Sequence, residues 1–169
     1  MHHPTPIATL AILVALALTG CTLPTVPGLT PATRTLAQAK ADYQRTVEEL
    51  FAYIPRDTIA EDLGASEPLQ HLFRCDSPRS YNWPGEHNAI LKPSTDGKHI
   101  VDRIATDWAH KPGWRMYDER NDPQTPGITL YAEDGTSIMV YFTIKRRLIV
   151  ISGGSACFYL DHYDGLKEY

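Results

Sequence analysis

The cysteine at position 21 is the residue whose surroundings most clearly indicate a specific chemistry. It ends the segment Leu-Thr-Gly-Cys at 18–21, which follows directly on the apolar run 7–18. That run is shorter than the roughly 20 residues of a membrane-spanning helix and is typical of a signal peptide. Small residues before a cysteine fit cleavage by a lipoprotein signal peptidase, and the thiol must be free to accept a diacylglycerol. The pattern predicts a signal peptide over 1–20 and lipidation, including palmitate, at Cys21, although the leader lacks Lys and Arg. The alternatives are a plain secretory signal, in which Cys21 is incidental, and a cytosolic protein with an apolar N-terminus.

The other two cysteines, Cys75 and Cys157, are predicted to form a disulfide. In an extracytoplasmic compartment disulfides persist, and two thiols allow only one pairing. Such a bridge would contribute about 2–5 kcal/mol, mostly by restricting the unfolded chain. Two separately buried thiols are the alternative. No histidine lies at ligand spacing from either cysteine, so we expect no metal site.

Ser152 and Ser155, followed by Asp161 and His162, contain the residue types of a hydrolase triad. Their closeness in sequence says little, because triad partners meet through the fold, and the Gly-x-Ser-x-Gly elbow is absent. A polar loop is the alternative, and we expect no catalytic residue here. Nucleotide-binding and metal-binding motifs are also absent, so no cofactor is expected. No two of the histidines that follow the leader have the i, i+4 spacing: His71, His87, His99, His110 and His162.

Tyrosines at alternating strand positions suggest a surface that binds a ligand. Tyr117, Tyr131 and Tyr141 fall on predicted strands and are candidates for a ligand face, together with Tyr81 and Trp83. Aromatic side chains with a polar tip suit sugars among other ligands. Outward-facing tyrosines on an ordinary sheet are the alternative.

Composition bounds the class of protein. The chain has 169 residues and a formal net charge of −4, and none of the charged residues lies in 1–20. An acidic balance gives no support for nucleic-acid binding, which requires a basic face. Residues 21–33 are rich in Thr and Pro and read as a linker, which leaves 34–169 as a single domain.

Two amphipathic helices are predicted from apolar residues that recur every three or four positions. The first covers 35–53, is capped by Thr33 or Thr35, and ends before Pro55. The second covers 96–110 and is stopped at 111–113, where the sequence is Lys-Pro-Gly. A short helical turn is expected within 57–66.

The remaining pattern is that of β-structure. Strands are predicted over 69–75, 87–91, 114–119, 128–133, 137–144, 148–151 and 157–160, with turns at Pro84-Gly85 and Asp134-Gly135. The apolar run 148–151 is expected to be central in the sheet. The fold class is therefore α+β, with two layers: an antiparallel sheet of about five strands and two helices on one face.

The chain resembles small actinobacterial lipoproteins, in particular the mycobacterial LppA-like group. The likeness is architectural and spans most of the chain after the leader. It depends on the cysteine-containing leader, the helix that ends at Ile54-Pro55, Cys75, Trp108, Asp134-Gly135, and Ser152-Gly153 before Cys157. The resemblance implies an envelope location and a disulfide, and it implies no activity.

The expectation for function is a non-enzymatic binding domain held at the outer face of the cell membrane by its lipid. Its partners would be the membrane, through the anchor, and a protein or cell-wall component, with no nucleic acid. An envelope hydrolase with an unrecognised site and a carrier of a small ligand are the alternatives.

Overall fold

The structure, a computed structural model, describes residues 34–66, 71–165 and 169. Two helices cover one face of a six-stranded sheet, and a three-stranded sheet lies beside it. All strand pairs in both sheets are antiparallel. The predicted two-layer α+β class is confirmed, with more strands than the five expected.

Helix α1, Leu36–Phe51, confirms the first predicted helix. A capping box starts it: the N–H of Gln38 donates to Oγ of Thr35 at 3.2 Å, and the N–H of Thr35 donates to Oε1 of Gln38 at 2.9 Å. These bonds satisfy two backbone donors that a helix start would otherwise leave unpaired. The helix buries the apolar stripe Ala39, Tyr43, Val47 and Leu50.

Helix α2, Gly97–Trp108, confirms the second. Oδ1 of Asp96 accepts from the N–H of His99 at 3.1 Å and caps the start. At the other end Nζ of Lys111 lies 3.6 Å from the centre of the Trp108 ring. The buried stripe is Ile100, Val101, Ile104, Ala105 and Trp108.

The strands are β1 (Ile59–Ser66), β2 (Phe73–Arg74), β3 (Ser80–Asn82), β4 (Pro84–Leu91), β5 (Trp114–Asp118), β6 (Gly127–Ala132), β7 (Ser137–Thr143), β8 (Leu148–Gly154) and β9 (Phe158–Tyr159). The six-stranded sheet has the order β1-β4-β8-β7-β6-β5, and the small sheet has the order β2-β3-β9. Strand β8 lies between β4 and β7 and is buried at 149–151, as its apolar sequence predicts.

The β6–β7 hairpin turns at Asp134-Gly135, as predicted. Gly135 has a φ of +91°, which a side chain would disfavour, and Oδ1 of Asp134 accepts from the N–H of Thr136 at 2.9 Å. The two strands are in register from Gly127 opposite Tyr141 to Tyr131 opposite Ser137.

Two local predictions are wrong. The helical turn expected within 57–66 is a 3₁₀ turn, Arg56–Thr58, followed by strand β1. β1 is an edge strand with two irregularities in register, so its apolar residues do not alternate and the spacing imitates a helix. The turn expected at Pro84-Gly85 is the start of β4, where Pro84 pairs with Gly154; proline is tolerated at the first position of a strand.

Candidate functional site

The predicted lipidation site, Cys21, lies outside the residues that the structure describes, and so do the leader 1–20 and the linker 21–33. Neither helix in the described part of the chain could span a lipid bilayer.

The predicted disulfide between Cys75 and Cys157 is present. Cys75 follows β2 and Cys157 precedes β9, so the bridge joins the two outer strands of the small sheet across β3. The N–H of Cys75 also donates to the carbonyl of Ser80 at 2.9 Å. The strands of this sheet are only two or three residues long, and the covalent link fastens its two outer strands to each other.

The three candidate tyrosines lie on the face of the large sheet that carries no helix, which we call the open face. Tyr117 is opposite Thr129, and Thr129 is opposite Met139. Tyr131 and Tyr141 each lie two positions from one of these residues, and side chains at that spacing share a face. The alternate positions, Ile128, Leu130, Ile138 and Val140, are buried in the core with the helices. Tyr117 is 62% exposed, Tyr131 47% and Met139 45%.

One cavity on the open face, of about 220 Å³, carries two carboxylates. Glu119, Asp122, Met139 and Tyr141 line it, together with Thr125. Oδ1 of Asp122 accepts from the N–H groups of residues 124 and 125 at 2.7 and 2.8 Å, and these bonds hold the pKa of Asp122 below its usual range. Oε2 of Glu119 accepts a hydrogen bond from Oγ1 of Thr129 at 3.3 Å. The cavity therefore offers acceptors to a ligand that carries hydroxyl or amide donors.

A second cavity, of about 370 Å³, begins on the other side of Met139. Phe73, Asn82, Glu86 and Ser152 line it with Met139. Oδ1 of Asn82 is buried and accepts no hydrogen bond from the described residues. An unsatisfied buried acceptor of this kind costs about 1–3 kcal/mol. Met139 borders both cavities, which therefore lie side by side on the open face, and we call the pair the trough.

The serines considered as nucleophiles are not assembled with a base. Ser155 is fully buried, and its Oγ accepts from the N–H of Trp83 at 2.9 Å and donates to the carbonyl of Ala156 at 2.8 Å. Ser152 borders the second cavity, whereas His162 is exposed beyond β9. In the part of the chain that the structure describes, no hydrogen bond joins His162 to either serine, and Asp161 pairs with Arg79 instead.

Among the described residues, His87 forms a pair with Asp62 that the sequence did not reveal. Nε2 of His87 lies 2.9 Å from Oδ1 of Asp62, and its ring stacks on Phe51 with centroids 3.6 Å apart. The hydrogen bond from His87, followed by that from the Gly64 N–H, lowers the pKa of Asp62. Among the described residues no group of three or more His, Cys, Asp or Glu side chains is placed to hold a metal.

His87 also borders a third cavity, of about 300 Å³, between α1 and the β1 edge. His87, Tyr43, Glu48 and Trp83 line it. The Tyr43 hydroxyl donates to the carbonyl of Gly85 at 2.6 Å, and burial, followed by the charge of Glu86, raises the pKa of Tyr43. This hydroxyl is therefore a fixed structural donor rather than an acid.

No model of a known protein family matches the chain, and neither a curated protein nor a solved structure is significantly similar to it. The resemblance to small actinobacterial lipoproteins stays a prediction.

Proposed function

We propose that this chain is a lipid-anchored envelope lipoprotein whose folded domain binds a partner and catalyses no reaction. The observation that carries the proposal is the open face, where Tyr117, Tyr131, Tyr141 and Met139 are aligned beside a trough. Exposed aromatic and methionine side chains grouped on one face mark binding surfaces more often than scattered apolar residues do.

The polar groups of the trough favour a partner rich in donors. Glu119 and Asp122 supply carboxylate oxygens in the first cavity, and Asn82 and Glu86 line the second. Tyrosine rings offer flat apolar surface with a polar tip. A cell-wall glycan has this character, with hydroxyl groups around the edges of apolar ring faces. The net charge of −4 disfavours polyanions such as nucleic acid.

The anchor has a direct test. Metabolic labelling with a palmitate analogue should mark the wild-type protein in its host and leave Cys21→Ala unmarked. Equal labelling of both would show that the lipid is absent from Cys21.

The binding surface is tested separately by photo-cross-linking in the native envelope. A photoreactive amino acid replaces Met139 at the centre of the trough, and in a matched control it replaces Thr106, which is exposed on α2 in the other layer. The proposal predicts a reproducible adduct from position 139 that lysozyme digestion of the cell wall shortens, and none from 106. An adduct only from position 106 would place the binding surface on the helical layer. The absence of an adduct from both positions would exclude the proposed binding.

A further inference from the structure

The two edges of the six-stranded sheet differ in how they prevent pairing with another strand. On β1 the register shifts twice, between Ile59 and Glu61 and between Asp62 and Gly64. Irregularities of this kind discourage another strand from pairing with an edge strand. On β5 all five residues pair with β6 without an irregularity, from Trp114 opposite Ala132 to Asp118 opposite Ile128. The β5 edge is therefore regular enough to accept a further strand.

The hydrogen-bonding groups of β5 alternate between β6 and the outside. The N–H of Glu119 donates to the carbonyl of Gly127 on β6, so residues at even spacing from it, including Tyr117, also direct their backbone towards β6. Met116 and Asp118 then direct their N–H and C=O groups away from the sheet. These are the groups that an added strand would engage.

The side chains of β5 on the open face carry a self-complementary pattern. Arg115 lies two positions before Tyr117, and Glu119 lies two positions after it. In the described part of the chain, neither Arg115 nor Glu119 forms an ion pair, whereas Asp118 on the other face is paired with Arg120. The positive Arg115 and the negative Glu119 thus lie at equal distances from Tyr117, one on each side.

We propose that β5 pairs antiparallel with β5 of a second copy of this chain, with a two-fold axis between the two Tyr117 residues. In this register each Arg115 is opposite Glu119 of the other copy, and each Met116 exchanges backbone hydrogen bonds with Asp118 of the other copy. Because the dimer has two-fold symmetry, every contact occurs twice. Opposite charges directly across a strand pair stabilise it, and aromatic pairs do so as well.

The neighbouring registers are less favourable. Moving the axis to Met116 puts Glu119 opposite Gly113 and leaves its charge unmatched. Moving it to Asp118 puts two aspartates opposite each other, and like charges in that position are destabilising.

The dimer joins the two open faces into one surface and goes beyond the proposed binding function, while its test in the membrane rests on the proposed acylation of Cys21. Anchoring of both copies in the same membrane would favour the dimer, because tethering raises the effective concentration of the copies.

Cysteine cross-linking of the full-length protein in its native membrane tests the proposed dimer. Tyr117→Cys places two thiols at the axis, where the strands approach most closely, while Tyr131→Cys is a control of similar exposure one strand further in. The native cysteines do not interfere if Cys21 is acylated, since Cys75 and Cys157 are already bonded. We expect a disulfide-linked dimer from Tyr117→Cys at a rate at least about tenfold above that from Tyr131→Cys.

Charge reversal in the Tyr117→Cys background tests the register. Arg115→Glu and Glu119→Arg should each slow cross-linking by about tenfold, because each creates two like-charge pairs. The double reversal should restore the rate. Equal cross-linking at 117 and 131 would overturn the dimer, and a double variant as slow as the single variants would overturn its register. Retention of the native disulfide and of the circular dichroism spectrum shows that each variant is folded.

Discussion

The backbone N–H of Trp83 donates to Oγ of Ser155 at 2.9 Å, and the N–H of Ser155 donates back to the carbonyl of Trp83, also at 2.9 Å. Trp83 joins β3 to β4, and Ser155 follows β8 on the way to β9. This reciprocal pair therefore ties together the two crossings between the large and the small sheet. Ser155 has a structural role at this point.

Replacing Ser155 by alanine should lower the free energy of unfolding by about 1–3 kcal/mol, because the buried N–H of Trp83 loses its acceptor. Urea denaturation followed by tryptophan fluorescence measures the change. Ser152→Ala, on the open face, is the matched control and should cost less than about 0.5 kcal/mol. If the two variants were equally stable, the assigned role of Ser155 would be wrong; labelling of Ser155 by a serine-reactive probe would contradict it as well.

Removing the disulfide should destabilise the domain strongly. The bridge closes a loop with a sequence separation of 82, and a cross-link of that length contributes about 2–5 kcal/mol. The free energy of unfolding of the double variant Cys75→Ala/Cys157→Ala should be lower by that amount. The variant should therefore unfold at a lower urea concentration than the wild type. A reducing agent should lower the melting temperature of the wild type towards that of the variant and leave the variant unchanged. A reducing agent that shifts both proteins equally would show that the bridge is not the cause.

Acid should remove one surface interaction in a defined range of pH. Hydrogen bonds from the Arg120 side chain, and then from its N–H, lower the pKa of Asp118 from 3.8 to about 2. The folded-state pKa is depressed, so this stabilisation is complete above pH 3.8 and is lost as the pH falls through about 2. The Asp118 side chain is 43% exposed, which limits the effect to about 0.2–1 kcal/mol.

The measurement is the urea midpoint of wild type and Asp118→Asn between pH 2 and 6. The difference between the two proteins should be constant above pH 4 and should narrow towards pH 2. A difference that stayed constant down to pH 2 would exclude ionisation of Asp118 as its source.

The parts of the fold that sequence predicts are those fixed by local pattern. Helix α1 has both its capping residue, Thr35, and a regular apolar stripe, and the β6–β7 hairpin has alternation on both sides of Asp134-Gly135. Such signals lie within a short stretch of chain, so no knowledge of distant contacts is needed. The shared face of Tyr131 and Tyr141 follows from the same alternation.

The parts of the fold and of the site that the sequence did not predict depend on long-range contacts. Strand β1 is defined by its pairing with β4, and its irregular register removes the alternation that would have identified it. The Asp62–His87 pair was missed with it, since the two residues meet only across β1 and β4. Likewise, Asn82 reaches the trough only because the small sheet packs beside the large one.

Oxidative footprinting tests the central claim, that the open face is covered by a partner in the cell. Hydroxyl radicals are generated in intact envelopes and, separately, with the detergent-purified full-length protein, and oxidation is compared for Met139 and Tyr131. Leu63, which is 46% exposed on β1, is the control. We expect Met139 and Tyr131 to be oxidised at least about threefold more slowly in the envelope, because a bound partner excludes the radical, while Leu63 reacts equally in both. Equal oxidation of Met139 and Tyr131 in the two preparations would contradict the account.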